Sequence, residues 1–342
     1  MLRLTPDRLD ELLERAREVR VLVVGDIMLD RYLRGSASRI SPEAPVPVVR
    51  VTEEWRALGG AANVAANAVT LGARCVIAGC TGTDAEAHAL REALADHAID
   101  DAGIVEVKGR LTTVKTRVIA RHHQVARYDR EDETTIDAET ASRLADRVRE
   151  LAATADAIAL EDYDKGVLVK LVIEAALEGA GGVPVIVDPK ARGFFDYAGS
   201  TVFKPNLAEL EAALRATAQP DDAAWMDATR RRLGCEHLLL TLGEDGMSLI
   251  TADGEFLRVP TVARAVYDVS GAGDTVTAAI AVAMAAGATP AEAAVLANHA
   301  AGIEVGKLGV ATVTPDELRT VVRDHASNPG RARGPVRINP IQ

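Results

Sequence analysis

The sequence predicts an α/β fold in which helices cover both faces of a mostly parallel β-sheet. Short apolar runs of strand length alternate along the chain with helical patterns, as in repeated strand–helix units. These runs are continuously apolar, which is typical of strands that are buried on both faces. A chain of 342 residues can bury one large core or two smaller ones.

The predicted elements follow in order along the chain. An amphipathic N-terminal helix leads to strands rich in Val, Ile and Leu, with helices between them. Two C-terminal helices begin at Thr289 and Thr314, where Pro follows a capping Thr and Glu stands three residues after it. The predicted strands are Val21–Gly25, Arg74–Gly79, Ala157–Leu160, Val183–Val187, Thr201–Phe203 and His237–Leu242. The early predicted helices are Gly59–Gly72 and Ala85–Ala98.

Two segments do not fit this alternation, and we expect them to form a small separate β-sheet. Residues Ser41–Thr52 carry three prolines, which favour an edge strand. Residues Thr112–Asp129 alternate polar and apolar side chains around a His-His-Gln turn, as in a hairpin with one solvated face. This sheet, with segments at about 38–52 and 110–130, is predicted to be a lid over the site, a dimerisation surface, or both.

Composition excludes several classes of protein. A net charge of −11 argues against a general nucleic-acid binder. The longest apolar run, Ala278–Gly287, is too short to cross a bilayer, and the N-terminus lacks the apolar core of a secretory signal, so we expect a cytoplasmic protein. Cys75, Cys80 and Cys235 show no metal-ligand spacing and are interpreted as small buried hydrophobes.

The strongest chemical motif is Asp268-Val-Ser-Gly-Ala-Gly-Asp274, which directly precedes an apolar helix. Gly271, Ala272 and Gly273 would form a tight turn whose free N–H groups attract a phosphoryl anion at the helix start. The Asp274 carboxylate could there accept the proton of an attacking hydroxyl group. The alternative is an ordinary glycine turn in which Asp274 caps the helix.

At these residues the sequence resembles the ribokinase-like carbohydrate kinases, also called the phosphofructokinase B type. Four further motifs of that family occur in the family's order: Gly25-Asp-Ile-Met-Leu-Asp30, Gly59-Gly-Ala-Ala-Asn63, Lys204-Pro-Asn-Leu-Ala-Glu209 and Thr241-Leu-Gly-Glu-Asp-Gly246. The resemblance implies a three-layer sandwich and phosphoryl transfer from ATP, with Mg²⁺, to a sugar. It also implies a potassium site near Asp268, Val269 and the loop Gly306–Thr312.

The resemblance assigns further roles residue by residue. The sugar-binding residues it implies are Asp30, Gly59, Gly60 and Asn63, and the ATP-binding residues are Lys204, Asn206, Glu209, Thr241, Gly243, Gly246 and Asn298. Asp30 is expected in a loop past the first strand, where open α/β sheets bind ligands, although an exposed loop Asp is the simpler interpretation. Asn206 and Glu209 are one helical turn apart and could face a hydrated magnesium ion, which Glu209 would contact through water.

One branch of the family, the D-glycero-β-D-manno-heptose-7-phosphate kinases of lipopolysaccharide-core biosynthesis, is more similar. The segments that carry this resemblance are Ser38–Val49, Leu29–Tyr32, Asp162–Gly166, Asp188–Lys190 and Val305–Gly309. The branch phosphorylates the anomeric hydroxyl of the sugar to give heptose 1,7-bisphosphate, on the route to ADP-heptose. It adds the sugar-binding residues Asp162, Lys165 and Lys190. Glu161 departs from the branch, where a small residue is expected.

A phosphorylated substrate of an acidic protein requires local cations. Lys115 and Arg117 lie on one face of the predicted hairpin, and Arg can hold a phosphate through two hydrogen bonds. The alternative is that both are solvated charges of an exposed sheet. We expect a homodimer that pairs through the small sheet.

The domain prediction is one kinase domain, residues 1–325, followed by a mobile tail, residues 326–342, rich in Pro, Gly and Arg. We expect the kinase alone, without the nucleotidylyltransferase that is fused to it in some relatives. Three alternatives stay open: a related kinase for another sugar, such as fructose 1-kinase chemistry; a non-catalytic sugar-binding regulator; and a dinucleotide-binding oxidoreductase. The last would need G-x-G-x-x-G after the first strand, which Gly25-Asp26 does not supply.

Overall fold

The computed structural model describes residues 4–121, 123–263 and 266–327. Across these ranges the chain forms ten α-helices and thirteen β-strands. The helices are α1 (Pro6–Ala16), α2 (Ala61–Thr70), α3 (Ala85–Asp96), α4 (Ala138–Ala152), α5 (Lys170–Gly179), α6 (Leu207–Leu214), α7 (Ala223–Leu233), α8 (Ala272–Ala285), α9 (Pro290–Glu304) and α10 (Pro315–Ser327). The strands are β1 (Arg20–Gly25), β2 (Ile27–Ile40), β3 (Pro47–Gly60), β4 (Arg74–Thr81), β5 (Asp100–Glu106), β6 (Thr113–Ala120), β7 (His123–Arg130), β8 (Ala157–Glu161), β9 (Val185–Asp188), β10 (Val202–Phe203), β11 (His237–Thr241), β12 (Met247–Ile250) and β13 (Phe256–Val259).

The main sheet has nine strands within the described residues, in the order β13-β12-β11-β10-β9-β8-β1-β4-β5. β1 pairs in parallel with β4 and β8, and parallel pairing continues outward to β5 and to β11. β12 and β13 are antiparallel additions at one edge. The prediction of a mostly parallel sheet is therefore confirmed, and each predicted strand overlaps a strand of this sheet.

Helices pack on both faces of the main sheet because successive side chains of a strand point to opposite sides. On β1, the side chains of Val21 and Val23 join a core formed with α1, α2 and α8 to α10. Those of Leu22 and Val24 join a second core formed with α4 to α7. All four side chains are fully buried, and the predicted three-layer sandwich is confirmed.

A second sheet stands apart from the main one and, in the described residues, has four strands in the order β3-β2-β6-β7. The prediction that Ser41–Thr52 and Thr112–Asp129 lie outside the main sheet is confirmed: β3 is an edge strand, and β6 and β7 form an antiparallel hairpin. His122, in the predicted turn, lies outside the described residues. We call these four strands the small sheet.

The predicted loop after β1 is wrong. Only Asp26 separates the end of β1 from β2, which begins at Ile27 and continues for 14 residues between β3 and β6. Asp30 is therefore a buried strand residue rather than an exposed loop residue. Gly59 and Gly60 end β3 instead of starting the helix, which begins at Ala61. The pattern was hard to recognise because β2 starts buried and becomes polar and exposed toward its outer end.

Tyr32 connects the small sheet to the C-terminal part of the molecule. Its ring stacks on Trp55 of the neighbouring strand, with centroids 4.9 Å apart and an interplanar angle of 3°. Its hydroxyl oxygen accepts a hydrogen bond from the N–H of Val310 at 3.0 Å. The base of the small sheet is thus tied to the loop between α9 and α10.

Other predictions about local structure can be compared directly. Capping boxes start α9 at Thr289 and precede α10 at Thr314, as predicted. Cys75, Cys80 and Cys235 are buried, as predicted. The proposed tail lies outside the described residues from position 328, and α10 occupies the residues before it. Among the helices that the structure describes, none is long and apolar enough to cross a membrane.

Candidate active site

Asp274 lies in the first turn of α8, at the position that the glycine motif predicts. Gly271 is the N-cap of α8 with φ of +94°, a conformation that glycine adopts without strain. A Cβ at this position would lie 2.8 Å from Nδ2 of Asn63, so a larger residue would displace that amide. The Asp274 side chain is buried, with 3% of the residue exposed, and the free N–H groups of the first turn lie beside it.

Two hydrogen-bond donors orient the Asp274 carboxylate. The hydroxyl of Tyr163 donates to Oδ1 at 2.6 Å, and the side-chain amide of Asn63 donates to Oδ2 at 2.7 Å. Asn67, one turn further along α2, donates to Oδ1 of Asn63 at 3.1 Å and thereby fixes which side of that amide faces Asp274. Tyr163 stands in a motif quoted for the sugar branch, but its role at the carboxylate was not predicted.

Two further acids meet Asp274 at the carboxyl edge of the main sheet. Glu161 ends β8 and Asp188 ends β9, and the two residues are partners in the parallel register. One carboxylate oxygen from each of these residues and one from Asp274 lie within 4.8 Å of one another. Lys204 pairs with Asp188 at 2.6 Å. The signal was readable, because two consecutive predicted strands are each followed at once by an acid.

The Glu161 carboxylate is the least compensated group of the site. The residue is fully buried, and neither Oε1 nor Oε2 has a hydrogen-bond partner among the described residues. Burial, reinforced by the charges of Asp188 and Asp274, raises the pKa of Glu161 well above its ordinary value. The sequence identifies Glu161 only as a departure from the sugar branch, whereas in the structure its carboxylate lies beside those of Asp188 and Asp274.

Burial also raises the pKa of Asp274, to about 6, although the hydrogen bonds from Tyr163 and Asn63 oppose the shift. A carboxylate with such a pKa is ionised at neutral pH and is a stronger base than an exposed aspartate. The arrangement can therefore accept a proton from a hydroxyl group placed against it.

The residues predicted to bind sugar gather where β2, β3 and β6 meet. Arg117 forms a buried ion pair with Asp30, and Gly59 leaves room for that pair because a Cβ there would lie 2.5 Å from Asp30 Oδ2. Lys115, next to Arg117 on the same face of β6, places its ammonium 4.9 Å from the ring centroid of Tyr163. Gly60, with φ of +55°, connects this region to α2.

The other three predicted sugar residues have partners of their own. Asp162 accepts a hydrogen bond from the Tyr197 hydroxyl at 2.7 Å, and burial raises its pKa to about 7. Lys165 pairs with two glutamates. Lys190 pairs with Glu209 and lies 5.4 Å from the Tyr163 ring centroid. Lys190 is thus next to the Asp274 site, whereas the contacts of Asp162 and Lys165 are with other groups.

The predicted nucleotide residues lie at or after the ends of β10 and β11, except Asn298, which lies in α9. Asn206 and Glu209 form a capping box at the start of α6, so the capping interaction accounts for their spacing. Thr241 ends β11 and is followed by a turn in which Gly243 and Gly246 both have positive φ. Asn298 donates from its side chain to the Pro260 carbonyl at 2.9 Å.

Around the predicted potassium site, the structure adds Glu304. Asp268 accepts the N–H of Ser270, and Val269 is largely exposed. Glu304 is fully buried behind Gly271, and neither of its carboxylate oxygens has a hydrogen-bond partner among the described residues. Burial, with the charges of Asp274 and Asp268, raises the pKa of Glu304 to about 8. Sequence reasoning did not find this residue.

Comparisons with known proteins agree on one family. The family model described as "pfkB family carbohydrate kinase" matches residues 19–317. The chain is 45% identical over 314 residues to the "Bifunctional protein HldE" of Geotalea uraniireducens (strain Rf4), and the match covers 91% of this chain and 64% of that protein. A protein of the same name from Rhodospirillum rubrum is 45% identical over 319 residues, with 92% and 64% covered. The chain therefore spans less than two thirds of the length of these relatives.

Solved structures share the fold. A ribokinase of Arabidopsis thaliana complexed with ribose and ATP superposes with a TM-score of 0.69 at 22% identity, covering 89% of this chain and 99% of that one. Phosphofructokinase-2 from Escherichia coli in complex with potassium gives a TM-score of 0.74 at 20% identity, covering 90% and 99%. At these identities the likeness supports the fold.

The burial of Glu161 predicts a pH-dependent gain of stability on its replacement. An acid whose pKa is higher in the folded than in the unfolded state binds more protons when folded, so its contribution to stability is lost as pH rises above about 4.3. We expect Glu161→Gln to raise the free energy of unfolding at pH 8 by at least about 1 kcal/mol, and the gain to shrink toward pH 4.5. Urea unfolding of both proteins in EDTA measures this difference.

The matched control for this prediction is Glu150→Gln, because Glu150 is an exposed glutamate. It should change stability by less than about 0.5 kcal/mol at either pH. A Glu161→Gln protein that is less stable than the wild type at pH 8 would contradict an uncompensated, buried Glu161.

Proposed function

The chain belongs to the pfkB family of carbohydrate kinases and is a sugar kinase, and we propose that it transfers the γ-phosphoryl group of ATP to the anomeric hydroxyl of D-glycero-β-D-manno-heptose 7-phosphate. The product would be heptose 1,7-bisphosphate, on the route to ADP-heptose and the lipopolysaccharide core. The observation that carries the reaction type is the buried Asp274 carboxylate, held by Tyr163 and Asn63 at the start of α8. The resemblance at Ser38–Val49 and Asp162–Gly166 carries the choice of sugar.

Asp274 acts in this proposal as the general base. As the anomeric oxygen forms its bond to the γ-phosphorus, its proton passes to the Asp274 carboxylate, and the bond from that phosphorus to the departing ADP oxygen breaks. The two donors on Asp274 keep the carboxylate in one orientation, which places its basic oxygen before the reaction begins. The amide groups at Gly271, Ala272 and Gly273 stabilise the charge of the transferring group.

Lys204, Asn206, Glu209, Thr241, Gly243, Gly246 and Asn298 are the residues proposed to bind ATP. All but Asn298 lie at the carboxyl ends of β10 and β11 or in the elements directly after them, where open α/β sheets place ligands. Asn298 lies in α9. The acidic groups around Asp274 and Glu209 have the oxygen donors that Mg²⁺ requires. When bound, Mg²⁺ would neutralise charge on the phosphates of ATP.

A potassium ion beside Asp268, the Val269 carbonyl and the 306–312 loop is part of the proposal. Glu304 supports it, because a buried carboxylate without hydrogen-bond partners in the described structure favours a nearby cation. The ion would reduce the negative charge behind the N-terminus of α8.

The sugar would lie between the small sheet and α2, against Asp30, Gly59, Gly60 and Asn63. Lys115 is the cation we propose to hold the 7-phosphate. It is partly buried beside Tyr163, and no carboxylate of the described residues forms an ion pair with it. Arg117 is less suited as a single phosphate ligand than the hairpin pattern suggested, because its guanidinium already neutralises Asp30.

Replacement of the base is the first test. Asp274→Asn should lower kcat by on the order of 10²–10⁴-fold while ATP affinity changes little, because the amide cannot accept the proton but keeps the size of the side chain. Single-turnover phosphoryl transfer and calorimetry with ATP measure the two effects. The exposed Asp253 offers a matched control, since Asp253→Asn should keep the wild-type rate. A near-normal rate for Asp274→Asn would remove the assignment of the base.

Substrate choice is the second test. Of heptose 7-phosphate, fructose phosphates, ribose and adenosine, the heptose should give the highest kcat/KM. Lys115→Ala should raise KM for heptose 7-phosphate at least about tenfold, since losing a charge-assisted hydrogen bond costs roughly 1.5–3 kcal/mol. It should barely change KM for the same sugar without its phosphate.

Lys108, an exposed lysine outside the small sheet, provides the control, and Lys108→Ala should leave both constants unchanged. Equal losses by Lys115→Ala on both sugars would show that Lys115 does not recognise the phosphate. A higher kcat/KM on another sugar would keep the family assignment but would replace heptose 7-phosphate as the proposed substrate.

The homodimer is the third test. The small sheet and the loop between β2 and β3 expose large apolar side chains, unusual for a surface without a partner: Ile40, Val46, Val51, Val125 and Tyr128. We propose that a second copy of the chain covers them. Val51→Lys combined with Tyr128→Lys should convert a dimer to a monomer in sedimentation equilibrium, whereas Leu171→Lys, at an exposed leucine on α5, should not. A wild-type monomer would contradict this assembly.

A further inference from the structure

The acidic cluster around Asp274 carries more negative charge than the surrounding side chains balance. Glu161, Asp188 and Asp274 converge on one point, with one oxygen from each within 4.8 Å of the others. Lys204 compensates Asp188 through its 2.6 Å ion pair. The nearby Lys190 is itself engaged by Glu209. Among the described residues, two of the three carboxylates of the cluster therefore have no ion-pair partner.

Glu161 provides a second, separate observation. Asp274 has Tyr163 and Asn63 as hydrogen-bond donors and Asp188 has Lys204, but among the described residues Glu161 has neither a hydrogen-bond donor nor an ion-pair partner. Lys204 and Lys190 lie near enough to favour its charged form, but neither forms an ion pair with it. Its carboxylate is aimed into the cluster and none of the residue is exposed to solvent. Burying a polar group without a partner costs several kcal/mol, so the empty hydrogen-bonding positions of Glu161 indicate a missing ligand.

The geometry of the cluster restricts what this ligand can be. Mg²⁺ binds oxygen ligands at about 2.0–2.1 Å, so two oxygens on one such ion lie at most about 4 Å apart. The three oxygens lie within 4.8 Å of one another, close enough that a small inward shift of the side chains would let one ion contact all three. All three donors are carboxylate oxygens, which suit Mg²⁺ or Mn²⁺ and not a soft metal. A divalent ion together with the Lys204 ammonium balances the charge of the three carboxylates.

We propose that Glu161, Asp188 and Asp274 directly bind one divalent cation, Mg²⁺ or Mn²⁺, in the absence of nucleotide. This site differs from a magnesium ion that arrives with ATP and contacts Glu209 through water, because its three carboxylate ligands all come from the protein and water would fill the other positions. It concerns the same region as the proposed function, but binding without ATP or sugar does not depend on which sugar is phosphorylated. Glu161 is the residue that distinguishes the site, since the other two carboxylates already have partners.

The test is binding of Mn²⁺ alone to the whole protein. After treatment with chelator and buffer exchange, free Mn²⁺ is followed by electron paramagnetic resonance during titration, with neither nucleotide nor sugar present. The wild type should bind one Mn²⁺ that Mg²⁺ displaces. Glu161→Gln should weaken this binding at least tenfold, because Gln keeps the shape of the side chain and loses the charge. Asp188→Asn is a second variant with the same expected loss.

Glu304→Gln is the matched control. Glu304 is as buried as Glu161 and equally without hydrogen-bond partners, but it lies outside the three-carboxylate cluster. Its replacement should leave Mn²⁺ affinity within about threefold of the wild type. Added Mn²⁺ should also raise the melting temperature of the wild type and of Glu304→Gln, and not that of Glu161→Gln.

Three outcomes overturn the proposal. The wild type binds no Mn²⁺ without nucleotide, Glu161→Gln binds it as well as the wild type does, or Glu304→Gln loses as much affinity as Glu161→Gln. The first would show that Glu161 is neutralised by a proton instead of a cation. If the protein phosphorylates heptose 7-phosphate but does not bind Mn²⁺ without nucleotide, the proposed function stands and this site is removed. If it binds Mn²⁺ but does not phosphorylate the heptose, this site stands and the proposed function is removed.

Discussion

Parallel strands end at the same edge of a sheet, and here that geometry brings acids together out of water. Glu161 and Asp188 end neighbouring strands in register, and α8 begins above them with Asp274 in its first turn. Carboxylates in such proximity repel one another and are poorly hydrated. The hydrogen bonds and ion pairs around these carboxylates offset part of this repulsion.

The hydrogen bonds that hold Asp274 come from residues that are distant from it in sequence. Thr275, Asn67 and Asn63 form a chain of side-chain hydrogen bonds that ends on Asp274, and Tyr163 reaches the same carboxylate from the opposite side. A rigid, satisfied network holds a reactive group in one orientation at the cost of keeping it buried. The neighbouring Glu161 is outside this network and has no hydrogen-bond partner among the described residues, which is why we propose a cation there.

Local patterns in the sequence predicted the main sheet, the two-faced core and the position of Asp274, because continuous apolar strands and a glycine turn are short-range signals. The path of β2 could not be derived in this way, since its partners are β3 and a hairpin some 80 residues later. The pairing of Asp30 with Arg117 depends on that register. Glu161 shows a different failure: the strand-end acid was visible, but its importance depends on which strand lies beside it and on burial that no local pattern gives.

The attachment of the small sheet has a mechanical consequence. β2 continues almost directly from β1, and its 14 residues extend roughly 45 Å at about 3.3 Å per residue. The small sheet therefore projects as a long arm that is attached next to Asp30, a residue proposed to bind the sugar. A rotation of about 10° at the base would move the outer end by about 8 Å but Asp30, only four residues along, by about 2 Å. If the strands rotate as one body, a displacement of the outer end therefore reaches Asp30 reduced to about a quarter.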